Sequence, residues 1–188
     1  MLSWKSLSLF LVLAVVTTSA LNEMKLEAED VATDASYINR FYMRSNASGE
    51  RTILVRNSQS LYALICIQDQ QDFQLADIVY STDGFSEPLN VYLNDNIIGI
   101  FVTHQEQGNG HLWNEFHHTG PVSQEIMLPP GQHNISIVLE QPDPRGAEID
   151  YLLLAFSDSA TVDQILCPYH EYSNLPGVGD QTRQAGPV

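Results

Sequence analysis

Basic side chains are scarce in this chain: 8 Lys and Arg stand against 23 Asp and Glu in 188 residues, a formal net charge of -15. No run of Lys or Arg offsets that field, so phosphate backbones and anionic membrane surfaces are repelled, and nucleic acid and membrane are excluded as partners. Cysteine is rarer still, with Cys66 and Cys167 alone. Beyond Val16 no apolar run approaches the roughly 20 residues that a membrane span needs. Sustained helical periodicity is missing as well, which leaves strands to build the fold. What is present suffices for a core: 44% of the residues are hydrophobic and 16% charged, which argues against wholesale disorder and fits one domain.

The first residues read as a processing segment. Lys5 precedes the apolar run Leu7 to Val16, and Thr17, Thr18, Ser19 and Ala20 follow, the order of a secretory signal peptide over residues 1–20 with cleavage after Ala20. The alternative, a retained signal anchor, suffers from the shortness of the run. A secreted, extracellular product is therefore expected. In that compartment the sequons Asn46-Ala47-Ser48 and Asn134-Ile135-Ser136 are glycosylation candidates, since neither has an intervening proline. An oxidising environment also favours a disulfide between Cys66 and Cys167; the alternative is a buried Cys66 thiol with Cys167 paired to another chain.

Through the middle of the chain short apolar runs alternate with turn residues. Thr52 to Val55, Leu61 to Ile67, Phe73 to Tyr80, Leu89 to Leu93, Ile97 to Val102, Glu125 to Leu128, His133 to Glu140 and Ala147 to Phe156 all read as strands. Asn94-Asp95-Asn96 is a hairpin-type turn, and Pro129-Pro130-Gly131 another turn with its backbone angles pre-set. Strands at intervals of roughly 8 to 12 residues predict an all-β sandwich or barrel. Residues 21–157 form that domain. Residues 158–188 form a largely irregular C-terminal extension, whose Val162, Ile165 and Leu166 can pack back if Cys167 is bridged.

Several stretches resemble the family 6 and family 35 carbohydrate-binding modules, jelly-roll β-sandwiches of the galactose-binding-like type. Leu26-Glu27-Ala28-Glu29-Asp30 is similar to their first-strand EAE signature, and Glu148-Ile149-Asp150-Tyr151-Leu152 to their last-strand IDY signature. Leu93 to Gly99 resembles the VNG hairpin, Trp113-Asn114-Glu115-Phe116 the Trp-x-x-aromatic loop, and Leu128 to Ile135 the LPAG-turn strand. The likeness runs from about residue 24 to 156, and the order of the motifs is more specific than any one of them.

Two consequences follow from the resemblance. On a strand, Glu27 and Glu29 project from one face, and two carboxylates so close need a cation; the resemblance implies a structural calcium held by Glu27, Glu29 and Asp150. The alternative is an acidic face open to solvent. A ligand cleft is implied around Trp113 and Asn114, with Tyr42, or else Tyr37 or Phe41, as a second aromatic, because a ring stacks on the C–H face of a sugar while polar groups bind its hydroxyls. Trp113 as a core residue closing the sandwich is the competing reading. The resemblance departs at Glu148. Many members carry an asparagine there, and an ionised glutamate cannot donate to a hydroxyl. Either the ligand differs, carrying an amine or bound through calcium, or the cleft has lost its function.

Catalysis finds no foothold. No G-x-S-x-G is present, and Asp143, Glu148 and Asp150 offer carboxylates without any sign of glycosidase spacing. His104, His111, His117 and His118 cluster, yet their spacing matches no zinc signature. The expected function is a secreted, calcium-stabilised, lectin-like glycan-binding protein without catalytic activity. The alternative is an acidic extracellular matrix or biomineral-associated protein, although the acids are scattered and form no Asp-rich run.

Overall fold

Strand β10 (Gly131–Leu139) shows how the alternation is used: Ile135, Ile137 and Leu139 are buried in the core, while of the opposite row Asn134 and Val138 are half-exposed and the small Ser136 is covered. The period of two places one row of side chains inside and the other outside. In a computed structural model of the chain, which describes residues 21–32, 37, 39–56, 59–83, 85–105, 113–141, 144–158 and 162–167, this pattern builds a jelly-roll β-sandwich. Residues 1–20, where the signal peptide is expected, and the chain beyond residue 167 lie outside the described residues.

The other strands are β1 (Asn22–Glu27), β2 (Phe41–Met43), β3 (Arg51–Val55), β4 (Ser60–Ile67), β5 (Gln71–Thr82), β6 (Pro88–Leu93), β7 (Asn96–Val102), β8 (His117–His118), β9 (Ile126–Leu128) and β11 (Ala147–Phe156). One sheet runs β4-β10-β6-β7. The other runs β2-β3-β11-β5-β8, with β1 alongside β11 and β9 alongside β5. All the pairs are antiparallel. Between the sheets Phe73, Leu75, Ile78, Ile149, Leu152, Leu154 and Phe156 from one face meet Leu61, Ile65, Leu89, Ile135, Ile137 and Leu139 from the other. Each such buried side chain contributes about 1.5 to 3 kcal/mol relative to exposure.

Two short helices complete the domain, α1 (Ala28–Val31) and α2 (Val162–Ile165). The hairpin between β6 and β7 turns at Asn94 and Asp95, with φ of 49° and 66°, the left-handed pair that a type I′ turn requires. Cys66 and Cys167 are bridged, and the bridge seats Ile165 in the core beside β4, where Leu166 pairs with Ile65. Among the described residues no helix is long and apolar enough to cross a membrane.

The first strand differs from expectation. β1 ends at Glu27, and Ala28 to Val31 coil into α1, so Glu27 and Glu29 do not share a strand face. The cause is burial: Ala28 and Val31 are both buried, and one helical turn places both against the core.

β11 is the keystone of the larger sheet. Its first part pairs with β3 (Ile149↔Ile53) and its second with β1 (Tyr151↔Glu27), so β1 and β3 lie end to end along the same edge. Asp150 falls between them. It is also the residue skipped in the pairing of β11 with β5, a β-bulge, and the bulge shifts the buried row from Ile149 to Leu152.

Candidate functional site

The bulge sends Asp150 into the seam where β1 stops, α1 begins and the β2–β3 connection passes. The backbone N–H of Ser48 donates to both Asp150 oxygens, at 3.0 and 3.1 Å, and the Ser48 hydroxyl donates to Glu27 Oε1 at 2.9 Å. Lys25 contributes its ammonium to Glu27 Oε1 at 2.6 Å and to the Ser48 hydroxyl. Glu29 reaches the same seam from α1, and Gly49 is packed so closely that a β-carbon there would lie 1.9 Å from Glu29 Oε1. The structure thus brings Glu27, Glu29 and Asp150 together by way of a bulge and a helical turn.

This cluster is short of positive charge. Glu27 Oε2 and Glu29 Oε2 are buried without a hydrogen-bond partner among the described residues. Burial, then the neighbouring Glu27 and Glu29, push the Asp150 carboxyl up to about 6 against the pull of the Ser48 N–H. Glu29 is likewise raised, first by burial and also by Glu27. Hard carboxylate oxygens are the donors that calcium takes, so the chemistry of the set fits that ion. The side chains do not stand as a closed cage: among the described residues no three Asp, Glu, His or Cys groups are spaced to enclose a metal.

On the other side of the same connection lies an open cleft of about 570 Å³ lined by Met43, Arg44, Ser45, Glu50 and Asn114. Arg44 is its centre. The guanidinium lies 5.5 Å from the Tyr42 ring centre and 5.7 Å from that of Trp113. Its Nε donates to Glu148 Oε2 at 2.7 Å and its Nη2 to Glu148 Oε1. The Thr52 hydroxyl donates to Glu148 Oε2 at 2.8 Å. Arg44 is thereby held above its ordinary pKa, chiefly by the Glu148 bond.

The expected ligand residues occupy different layers of this site. Tyr42, Trp113 and Asn114 are half-exposed. Trp113 does not belong to the core cluster. Glu148 is 1% exposed and lies beneath Arg44, so its carboxylate meets the guanidinium and not the cleft surface. Of the other aromatic candidates, Tyr37 is buried with Arg40 stacked 4.5 Å from its ring centre, and Phe41 packs against the core. Asn114 is a brace: its Oδ1 accepts the Asn46 N–H at 3.1 Å, its carbonyl accepts Asn46 Nδ2 at 3.0 Å, and its own Nδ2 donates to Ser45 Oγ at 3.0 Å. Asn46 is exposed at the cleft edge, and Asn134 is half-exposed on β10.

Arg44, Glu50 and Thr52 carry much of this geometry and belong to none of the motifs, and Ser48 enters the sequence reading only as part of a sequon. A signal for Arg44 does exist, since it is one of the few cations in an acidic chain and stands two residues after Tyr42. The carboxylates considered for glycosidase chemistry are otherwise engaged, Glu148 by Arg44 and Thr52 and Asp150 by Ser48, while Asp143 lies outside the described residues. The histidines divide into two arrangements. His104 and His117 stand with ring centres 5.0 Å apart, and His118 Nδ1 meets Asp77 Oδ2 at 2.5 Å; His111 lies outside the described residues.

No protein-family profile matches the chain, and no curated protein sequence does. Solved structures do. A GH26-CBM35 β-(1,4)-mannanase from Podospora anserina superposes with a TM-score of 0.52 at 16% identity, over 76% of this chain and 29% of that one. A family 35 carbohydrate-binding module from Clostridium thermocellum gives a TM-score of 0.47 at 16% identity, over 71% of this chain and 97% of its own. Another family 35 module, from an environmental isolate, gives 0.47 at 16% identity, over 81% and 96%. The chain spans less than a third of the mannanase, and at such identities the likeness is one of fold: the jelly roll expected from the sequence.

Proposed function

We propose that the protein is a secreted glycan-binding module, stabilised by calcium and without catalytic activity of its own. The observation that carries this reading is the Tyr42–Arg44–Trp113 arrangement, with two half-exposed aromatic rings flanking a guanidinium at an open cleft. The rings offer flat apolar surface for sugar C–H groups, and the outward N–H groups of Arg44 offer donors for hydroxyls. The family 35 module named for the mannanase that shares the fold supports the same reading.

Calcium enters as the ion whose chemistry suits Glu27, Glu29 and Asp150. When bound, it supplies the positive charge that three crowded carboxylates need. The residues of the chain do the rest: β1, α1 and β11 present Glu27, Glu29 and Asp150 in turn, and Ser48 ties the β2–β3 connection to Glu27 and Asp150.

The test is a glycan array probed with the full chain and with Trp113→Ala, in calcium and in chelator. Binding to a defined glycan set that the variant loses supports the reading. Equal signals from both proteins, or release of new reducing ends from the bound glycan, count against it.

A further inference from the structure

The cleft has a charge pattern that the fold does not require. Its cation, Arg44, has Nε and Nη2 committed to the buried Glu148, so the pair presents almost no net charge to a ligand. The polar atoms of Asn114 are committed to Ser45 and Asn46. The remaining charged side chain of the lining is Glu50, which is exposed.

Glu50 is held there at a cost. Its φ is 63°, in the left-handed region that a β-carbon disfavours and glycine ordinarily fills, although Gly49 stands next to it. The tight connection enforces the conformation: the Glu50 N–H donates to the Ala47 carbonyl at 3.2 Å, and the Glu50 carbonyl accepts the Arg44 N–H at 3.0 Å. A strained backbone that delivers a carboxylate to a cleft points to a use for that carboxylate.

We infer that the cleft selects glycans bearing free amines, of the glucosamine type, and rejects uronates and sulfated sugars. The inference rests on the glycan-binding reading above and deepens it by naming the charge of the ligand. A protonated sugar amine pairs with the exposed Glu50, the carboxylate of the lining that, among the described residues, no cation of the cleft neutralises. An anionic sugar meets Glu50, an Arg44 already neutralised by Glu148, and a chain of formal net charge -15.

The experiment titrates the full chain with three oligomers at one ionic strength: β-1,4-linked glucosamine, its N-acetylated counterpart and galacturonate. Three variants accompany it: Glu50→Gln, Glu50→Gly, which removes the carboxylate without backbone strain, and Glu23→Gln, an exposed acid on β1 that controls for overall charge. The glucosamine oligomer should bind tightest. Both Glu50 variants should weaken it about three- to fivefold, the size of one partly exposed ion pair, and weaken the N-acetylated oligomer by less. Glu23→Gln should change nothing. Equal binding of the galacturonate or the N-acetylated oligomer, or equal losses from the Glu50 and Glu23 variants, overturns the selectivity. Loss of every glycan signal removes the glycan reading itself, and this inference with it.

Discussion

Arg44 and Glu148, 104 residues apart in the chain, meet in a two-pronged pair in which Arg44 Nε stands 2.7 Å from Glu148 Oε2. The carboxylate lies on β11 beneath the guanidinium, and Thr52 on β3 supplies a third hydrogen bond. The pair turns a buried carboxylate, which when ionised has no hydrogen to donate, into a support for a guanidinium that has.

Removing Glu148 should therefore cost more than removing both partners. Glu148→Ala strands a half-buried guanidinium and the Thr52 hydroxyl, and should lower unfolding free energy by about 2 to 4 kcal/mol in urea titrations. The double variant Arg44→Met/Glu148→Leu should recover most of that loss while binding no glycan. A single variant no less stable than the parent would show that the pair is dispensable to the fold.

Trp113→Ala should weaken glycan binding by about 1 to 3 kcal/mol and leave the thermal midpoint almost unchanged, because the ring is half-exposed and lies outside the core cluster. Calorimetric titration and a melting curve on the same sample check both halves. A collapse of the melting transition would make Trp113 structural.

Calcium removal should be visible in stability and its pH dependence. In chelator, the Asp150 carboxyl, pushed up to about 6 from an ordinary 3.8, binds its proton more tightly in the folded than in the unfolded chain. The stabilisation from that proton is complete below about 3.8 and is lost as pH rises through about 6, so the calcium-free protein should become more stable on acidification across that window. Calcium should reverse the trend, since protons compete with the metal for the same oxygens. Asp150→Asn should remove both effects. Melting curves at pH 5 to 8 with and without calcium decide it, and curves that coincide in the two conditions would refute the site.

Reducing the Cys66–Cys167 bridge should free the C-terminal segment. The sequence separation is 101 residues, and opening so long a loop costs on the order of 4 kcal/mol in the chain-entropy account. Amide exchange at Ile165 and Leu166 should rise before that of β10, because among the described residues their backbone attachment is a single bridge to β4 and a bond from the Cys167 N–H to the Leu64 carbonyl. Uniform loss of protection across the domain would show instead that the segment is part of the folding unit.

Much of the fold is legible because its signals are local. Alternation in β10 and the Asn94-Asp95 turn each depend on a few neighbouring residues and on the period of the strand, which no distant contact alters, and the cysteine pair is legible because the chain holds no third cysteine. The bulge at Asp150, which moves the buried row from Ile149 to Leu152, leaves no such signal. The pairing of Arg44 with Glu148 and the seam that gathers Glu27, Glu29, Ser48 and Asp150 leave none. They arise because β3 and β1 share one edge of β11 and because α1 needs both Ala28 and Val31 in the core. By itself the sequence determined which residues face inward and where the chain turns. Only the tertiary structure decided which polar groups meet, because partners roughly a hundred residues apart are set by the order of strands in a sheet, and that order carries no local pattern.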